Sequence, residues 1–301
     1  MFEAPRKSID CRGRILDLEK PAIVGIINVT PDSFSDGGEA LCVDAAVARG
    51  AAMIEAGAHA LDIGGESTRP GAQAVDENEE LRRVIPVIEA LAASVAVPIS
   101  IDTQKPAVMR AAVAAGAGWI NDVNALRAPG ALDAAADTGA AVTLMHMQGT
   151  PATMQSAPYY DDVVGEVQKF LTERVLACQF AGIDKKRIVL DPGFGFGKAL
   201  EHNLTLLAEL ERLQVLGCPL LVGLSRKRMI GTICGRDVAG ARVVGSAAAA
   251  LIAVQRGALI VRVHDVAATS DALAMWAAVK AHVPVARPAQ KPAIRWPDDD
   301  E

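Results

Sequence analysis

Eight short apolar runs, rich in β-branched residues, recur along the chain with longer stretches of a different pattern between them. The runs cover residues 23–29, 60–64, 99–103, 119–123, 142–146, 188–190, 220–224 and 259–263. Between them, apolar residues recur at three- and four-residue spacing, which is typical of helices. Examples are Leu81, Val84, Ile85, Ile88 and Leu91, and Val163, Val167, Phe170, Leu171 and Val175. This alternation predicts an α/β fold with eight parallel strands, a (β/α)8 TIM barrel.

The two ends of the chain have other patterns. Apolar residues alternate around Gly13, at Ile9, Cys11, Ile15 and Leu18, which predicts a short N-terminal hairpin closing the barrel floor. After His282 the chain is rich in Pro and Ala, with one Lys, and ends in four acidic residues, a composition that predicts a flexible, disordered tail. We therefore expect one domain over residues 1–282 and a tail over 283–301.

Composition excludes several classes of protein. The net charge of −6 and the pI near 5.5 argue against a nucleic-acid partner. Five scattered cysteines without a C-x-x-C pair predict reduced thiols in a cytoplasmic protein. The first residues lack the apolar core of a signal peptide, and the alanine-rich stretch 243–254 is too short to cross a membrane, so we expect a buried helix there and no membrane partner.

Polar and charged residues gather where the predicted strands end, the edge at which α/β barrels build their active sites. These residues are Asn28, Asp62, Glu66, Ser67, Thr68, Arg69, Asp102, Asn121, Asp122, His146, Asp191, Ser225, Arg226, Lys227, Arg262, His264 and Asp265. Each has an ordinary explanation, such as a helix cap or a buried histidine. Their coincidence at one rim predicts instead a pocket for a ligand with hydrogen-bonding edges and anionic groups.

The segment 191–198, D-P-G-F-G-F-G-K, resembles a phosphate-binding loop only superficially. Pro192 stands where a glycine is needed, and Ala199 stands where the magnesium-binding hydroxyl belongs. We interpret the alternating glycines as a backbone that passes close to a flat ligand, with Phe194 and Phe196 as apolar walls.

Five motifs together resemble the dihydropteroate synthase family, in the family's order, from about Pro21 to Ala278. They are N-V-T-P-D-S-F-S-D-G-G (28–38), D-I-G-G-E-S-T-R-P-G (62–71), D-P-G-F-G-F-G-K (191–198), G-L-S-R-K-R (223–228) and R-V-H-D-V (262–266). The resemblance implies a transferase that joins 6-hydroxymethyl-7,8-dihydropterin diphosphate to p-aminobenzoate, releases pyrophosphate and is a sulfonamide target. It also implies a homodimer, for which the apolar helices around 244–254 and 273–279 offer a surface.

The same resemblance implies roles for individual residues. Pterin binding is implied for Asp102, Asn121, Met145, Asp191, Phe196, Gly223 and Lys227. Diphosphate binding is implied for Asn28, Thr68, Arg69, Arg262 and His264, with Mg²⁺ between Asn28 and the phosphates. The p-aminobenzoate pocket is implied for Phe34, Ser35, Pro70, Lys227 and Arg228, where Arg228 replaces the family's serine. Catalysis by a dissociative route is implied for Asp102, Lys227, Asn28 and Arg262.

Two alternative functions stay open at this point, and a third lacks the residue that it needs. A methyltransferase that takes a methyl group from a reduced folate to a corrinoid protein has a similar pterin pocket but needs no diphosphate clamp. A catalytically silent pterin-binding protein has the pocket without working loops, although Asn28, Asp32, Phe34, Ser35 and Arg69 are all present here. An aldolase-type barrel requires a Schiff-base lysine within a strand, and no predicted strand carries one.

Overall fold

All eight predicted apolar runs form parallel strands in the computed structural model, which describes residues 7–29, 39–67, 74–149, 154 and 157–282. The barrel strands are β3 (Ala22–Asn28), β4 (Ala60–Gly64), β5 (Ile99–Asp102), β6 (Trp119–Asp122), β7 (Ala141–Met145), β8 (Ile188–Asp191), β9 (Leu221–Val222) and β10 (Ile260–Val263). They are preceded by the hairpin strands β1 (Ser8–Cys11) and β2 (Arg14–Asp17).

Helices separate the barrel strands and cover their outer faces. They are α1 (Glu39–Glu55), α2 (Glu77–Ser94), α3 (Pro106–Ala114), α4 (Ala131–Thr138), α5 (Val163–Phe180), α6 (Leu200–Ala208), α7 (Arg228–Cys234), α8 (Val243–Gln255) and α9 (Val266–Ala281). Two of the predicted helices begin at a capping carboxylate: Asp76 accepts from Glu79 N at 3.0 Å, and Asp162 accepts from Gly165 N at 3.0 Å.

The strand order is β8-β7-β6-β5-β4-β3-β10-β9, which is the sequence order of a barrel. Its two edges meet, because Leu190 of β8 bridges Leu220 just before β9 and Leu190 N donates to Pro219 O at 2.9 Å. The predicted TIM barrel is therefore confirmed, and its strand ends converge on one rim.

The inside of the barrel is apolar at its floor and polar toward its top. Ala60, Trp119 and Val189 fill the lower part together with residues of the N-terminal hairpin. Asp62 and Asn121 stand higher on the strands of Ala60 and Trp119. Apolar packing therefore closes the base of the barrel, and its upper half contains buried polar groups.

The hairpin closes the floor as predicted, but not all of the alternating apolar residues face inward. Leu16 is buried and Ile15 is 58% exposed, because Ile9 pairs with Leu16 and side chains opposite each other share a face. The hairpin lies so close to the barrel that a side-chain carbon on Gly118 would overlap the carbonyl of Cys11.

The alanine-rich stretch forms α8 as expected, but it is buried on one face only. Ala247, Ala250 and Ala253 pack inward, whereas Val244 is 83% exposed. Within the described ranges no single helix has the length and apolar character to cross a membrane, although α7 and the segment 239–255, bent by 75°, pass that test as a pair. Residues 283–301 lie outside the described ranges, so the tail and the one-domain boundary at 282 stay predictions.

Candidate active site

Arg262 stands at the centre of the upper barrel between two carboxylates. Its Nε donates to Asp62 Oδ2 at 2.5 Å, and its Nη2 donates to Asp102 Oδ2 at 2.7 Å. Burial raises the pKa of Asp102 to about 7, although Arg262 acts in the opposite direction. Burial alone lowers the pKa of Arg262, but Asp62 and Asp102 outweigh it and raise that pKa above its usual value. The guanidinium is therefore a permanent, oriented cation.

Asp62 has a larger part in this arrangement than sequence reasoning gave it. Its side chain is 1% exposed and holds Arg262 with Oδ2, while Oδ1 has no hydrogen-bond partner among the described residues. Asn121 Nδ2 lies 3.5 Å from the same Oδ2. A carboxylate at an inward position of an apolar strand was the available signal, because such a group requires a cationic partner.

Asn28 ends β3 beside Gly64, with which it is paired across the sheet. A side-chain carbon on Gly64 would lie 3.8 Å from Asn28 Oδ1 and 4.0 Å from Asp102 Oδ2. The missing side chain therefore leaves an open space between an amide oxygen and a carboxylate. No group of three or more His, Cys, Asp or Glu able to hold a metal occurs in the described part of the chain. The Asn28 amide oxygen alone fits Mg²⁺, which keeps several waters and takes its other ligands from substrate phosphates.

Asp191 and Lys227 are two further charged residues of the rim, close enough for each to shift the pKa of the other. Asp191 Oδ1 accepts from Gly193 N at 2.7 Å, and Lys227 Nζ donates to Phe194 O and lies 4.4 Å from the centre of the Phe196 ring. Burial raises the pKa of Asp191, against the influence of Lys227. Burial lowers the pKa of Lys227 to about 8, against the influence of Asp191. Asp191 is buried and Lys227 is half-buried at this rim.

A small apolar cluster lies between these charged groups. Met145 packs there with Val123, Met147, Met154 and Phe196. Thioether and ring surfaces of this kind suit the face of a planar heterocycle.

The segment 191–198 differs from its predicted role in one respect. Phe194 is 0% exposed and belongs to the outer core, so it is not a wall of the pocket. Gly193 and Gly197, at φ +70° and +61°, approach the carbonyls of His146 and Gln148, so these two glycines pack the turn onto the end of β7. Gly195, at φ +76°, lies against the side chain of Lys227.

The rim near β10 contains further charged groups. His264 N donates to Ser225 Oγ at 3.1 Å, and His264 Nδ1 lies 3.0 Å from the same oxygen. Arg226 donates two hydrogen bonds to Asp265, of 2.9 and 2.5 Å, and forms an ion pair with it. Arg228 begins α7 and is exposed.

The structure brings most of the predicted site residues to one rim. Asp102, Asp191, Lys227 and Arg262 are close enough for their charges to shift one another's pKa. Met145, Phe196, Gly223 and His264 surround them on the neighbouring strands and turns. Phe34, Ser35, Thr68, Arg69 and Pro70 lie outside the described ranges.

Comparison with known proteins identifies the family. A sequence profile described as pterin binding enzyme matches residues 24–264. Dihydropteroate synthase of Escherichia coli K12 is 53% identical over 262 residues, covering 87% of this chain and 93% of the relative. The chain belongs to the dihydropteroate synthase family.

Solved structures of dihydropteroate synthases have the same fold. The Xanthomonas albilineans enzyme with 4-aminobenzoic acid has a TM-score of 0.87 at 62% identity, covering 92% of this chain and 99% of that one. The same enzyme with 7,8-dihydropteroate gives a TM-score of 0.84 at 60% identity, with 92% and 100% covered. The Yersinia pestis enzyme in a sulfonamide complex gives 0.87 at 50% identity, with 91% and 100% covered.

Proposed function

We propose that this protein condenses 6-hydroxymethyl-7,8-dihydropterin diphosphate with p-aminobenzoate, giving 7,8-dihydropteroate and pyrophosphate in folate biosynthesis. The observation that carries the proposal is the polar upper half of the barrel, where an arginine fixed by two carboxylates lies near Asp191 and Lys227. A pocket with carboxylates on two walls and cations beside them suits a ligand that joins an amino-pyrimidine ring to a diphosphate. A methyl-transferring relative needs no such cation for a leaving diphosphate.

The pterin ring occupies the wall formed by Asp191, Asn121 and Lys227. Carboxylate and amide oxygens accept from the ring's amino and N–H groups, and the ammonium donates to its carbonyl and ring nitrogen. Asp102 and Gly223 border the ring, and Met145 and Phe196 contact its faces. The buried setting strengthens each of these hydrogen bonds, because water does not compete for them.

The diphosphate lies toward Arg262, His264 and Asn28, with Thr68 and Arg69 completing the clamp. Asn28 would hold Mg²⁺, which would supply positive charge to neutralise the phosphate oxygens. Arg262 is already fixed by Asp62 and Asp102, so it stabilises the charge that grows on departing pyrophosphate without reorganising.

The route we propose is dissociative. The carbon–oxygen bond to the diphosphate breaks first, and the electron-rich dihydropterin carries the resulting positive charge until the aromatic amine attacks. Asp102, Asn28, Arg262 and Lys227 are the catalytic residues in this scheme. Asp102 stabilises the cationic fragment electrostatically, since an ionised carboxylate in a buried site interacts strongly with nearby positive charge.

The p-aminobenzoate pocket includes Phe34, Ser35, Pro70, Lys227 and Arg228. Arg228 is exposed at the rim, where its guanidinium is available to the carboxylate of the amine substrate. A sulfonamide presents a similar aromatic amine and binds the same pocket.

The protein acts as a cytoplasmic homodimer in this proposal. The helices α8 and α9 pack against each other, and Val244, Ile252, Met275 and Val279 remain exposed on them. Apolar side chains of this kind favour burial against a second copy. Cys11 and Cys178 are buried thiols, and burial raises their pKa to about 12 and about 11, which suits reduced, unreactive cysteines in the cytoplasm.

Pyrophosphate release tests the proposed reaction. The purified protein is incubated with dihydropterin diphosphate and Mg²⁺, with and without p-aminobenzoate, and dihydropteroate is measured by chromatography. We expect release that depends on the amine, with one dihydropteroate formed per pyrophosphate. Tight pterin diphosphate binding without product would identify a silent binding protein, and no binding would contradict the pocket assignment.

A further inference from the structure

Lys198 is a buried lysine that takes no part in the proposed chemistry. Its residue is 3% exposed, and it lies just before α6 and beneath the Asp191 turn. Its Nζ lies 2.9 Å from His146 Nδ1 and donates to Gly193 O at 2.9 Å and to Phe196 O at 3.1 Å. An ammonium has three N–H groups, which the three neighbouring acceptors match, although burial lowers the pKa of Lys198 well below its usual value.

Of the three groups around Lys198 Nζ, His146 Nδ1 is the one that lies outside the 191–197 turn. Burial, together with nearby Lys198 and Arg127, lowers the pKa of His146 to about 2, so its ring is neutral and Nδ1 is free to accept. The His146 N–H donates to Asp191 O at 2.9 Å, and the ring packs edge-on against Phe170. The end of β7 therefore holds the turn at Asp191 through its backbone and near Phe196 through its side chain.

The two carbonyls that accept from Lys198 flank the Phe194 carbonyl in the sequence, and that carbonyl binds an active-site lysine. Gly193 O and Phe196 O lie on either side of Phe194, whose carbonyl accepts from Lys227 Nζ. The Phe196 ring contacts the same ammonium, and Gly193 N donates to Asp191. Any movement of the turn would shift both the Lys227 ammonium and the Asp191 carboxylate.

We infer that Lys198, in contact with His146, is a positioning residue. It holds the 191–197 turn so that Asp191 and Lys227 both reach the pterin ring. This inference rests on the proposed pterin site and extends it to two residues that do not touch the substrate. Preorganisation of this kind acts on ligand binding, because a pocket already in its bound geometry loses little freedom when the ligand enters.

The test compares four variants of the full chain with the parent protein. Lys198→Met keeps the apolar stem and removes all three N–H groups. His146→Leu removes the acceptor, whereas His146→Asn keeps an oxygen near the position of Nδ1. Lys169→Met removes an exposed lysine on α5 and serves as the control. Circular dichroism reports folding, and dihydropterin diphosphate with Mg²⁺ is the probe for KM, kcat and equilibrium binding.

We expect folded Lys198→Met and His146→Leu proteins whose KM for dihydropterin diphosphate rises roughly 10- to 100-fold, with a smaller change in kcat. His146→Asn recovers most of the affinity, and Lys169→Met matches the parent. A folded Lys198→Met protein with the parent KM would overturn the inference, as would equal losses in His146→Asn and His146→Leu. Unfolding of both Lys198→Met and His146→Leu would also overturn it, since the pair would then support the barrel as a whole.

Failure of the proposed function would give a different result from failure of the positioning role of Lys198. A parent protein that binds dihydropterin diphosphate but makes no dihydropteroate would contradict the synthase reaction, and the Lys198 effect would still be read from binding. A parent that does not bind the probe would contradict the pterin site itself and the inference with it.

Discussion

Asp102 and Lys227 are half-buried groups whose ionisation falls near neutral pH. Burial raises the pKa of Asp102 to about 7 and lowers the pKa of Lys227 to about 8. Pterin diphosphate recognition uses the carboxylate in its ionised form and the lysine in its protonated form. Below pH 7 Asp102 loses its charge, and above pH 8 Lys227 loses its charge. We therefore expect kcat/KM to peak between these values and to fall on both sides.

The measurement is the pH profile of kcat/KM for dihydropterin diphosphate in the parent and in Asp102→Asn. The substituted protein, although slower, should lose the acid limb and keep the basic limb. An acid limb that stays in place after this substitution would assign the titration to another group.

Gly64 leaves the space between Asn28 and Asp102 that the diphosphate and its cation require. The distances to a side-chain carbon on Gly64 are ordinary van der Waals contacts, so Gly64→Ala should fold and keep activity within about threefold. Gly64→Leu extends into the space between the two polar groups, and we expect a fall in kcat/KM of roughly 100-fold or more. Steady-state kinetics on both variants checks this. Equal activities of the two variants would show that the space is not used.

The strands of the barrel were predictable because both of their faces are buried. Runs such as 23–27 and 188–190 are apolar without interruption, and each lies between a helix and the barrel interior. The concentration of polar residues at the strand ends followed from the same pattern, since the strands are parallel. Fold class and site location therefore depended on local sequence signals.

Features set by pairing across the fold were not predictable in this way. Leu16 rather than Ile15 faces inward because of the hairpin register. Phe194 is buried because the 191–198 turn folds back onto β7. The Arg262–Asp62 and Lys198–His146 contacts join residues 200 and 52 positions apart. Such contacts require the closed barrel to be known first.

The N-terminal hairpin packs tightly enough to depend on one glycine. A side-chain carbon on Gly118 overlaps the backbone carbonyl of Cys11, and backbone yields less readily than a side-chain tip. We expect Gly118→Ala to reduce the free energy of unfolding by roughly 1–3 kcal/mol. Gly240→Ala is the control, since nothing lies within 4 Å of its added carbon. Urea denaturation of both variants measures the difference, and equal midpoints would contradict the packing argument.

The assembly of the whole molecule is testable through its exposed apolar residues. Val244 on α8 is exposed where we propose the second copy binds, whereas Phe180 at the end of α5 is 89% exposed elsewhere. We expect Val244→Glu to raise the dimer dissociation constant roughly 30-fold or more, because a charge becomes buried at an apolar contact. Phe180→Glu should leave it unchanged. Sedimentation velocity decides between them, and a dimer lost only in Phe180→Glu would place the interface on α5.

The division of the upper barrel into a pterin wall and a diphosphate clamp is the central claim. Equilibrium titration tests it with two ligands, dihydropterin diphosphate and the same pterin without its diphosphate, in the parent, Asp191→Asn, Arg262→Ala and His264→Ala. Asp191→Asn should weaken both ligands by the same factor. Arg262→Ala and His264→Ala should weaken only the diphosphate ligand, by roughly tenfold or more. Parent-like affinity for the diphosphate in both clamp variants, or an equal loss for both ligands, would contradict the account.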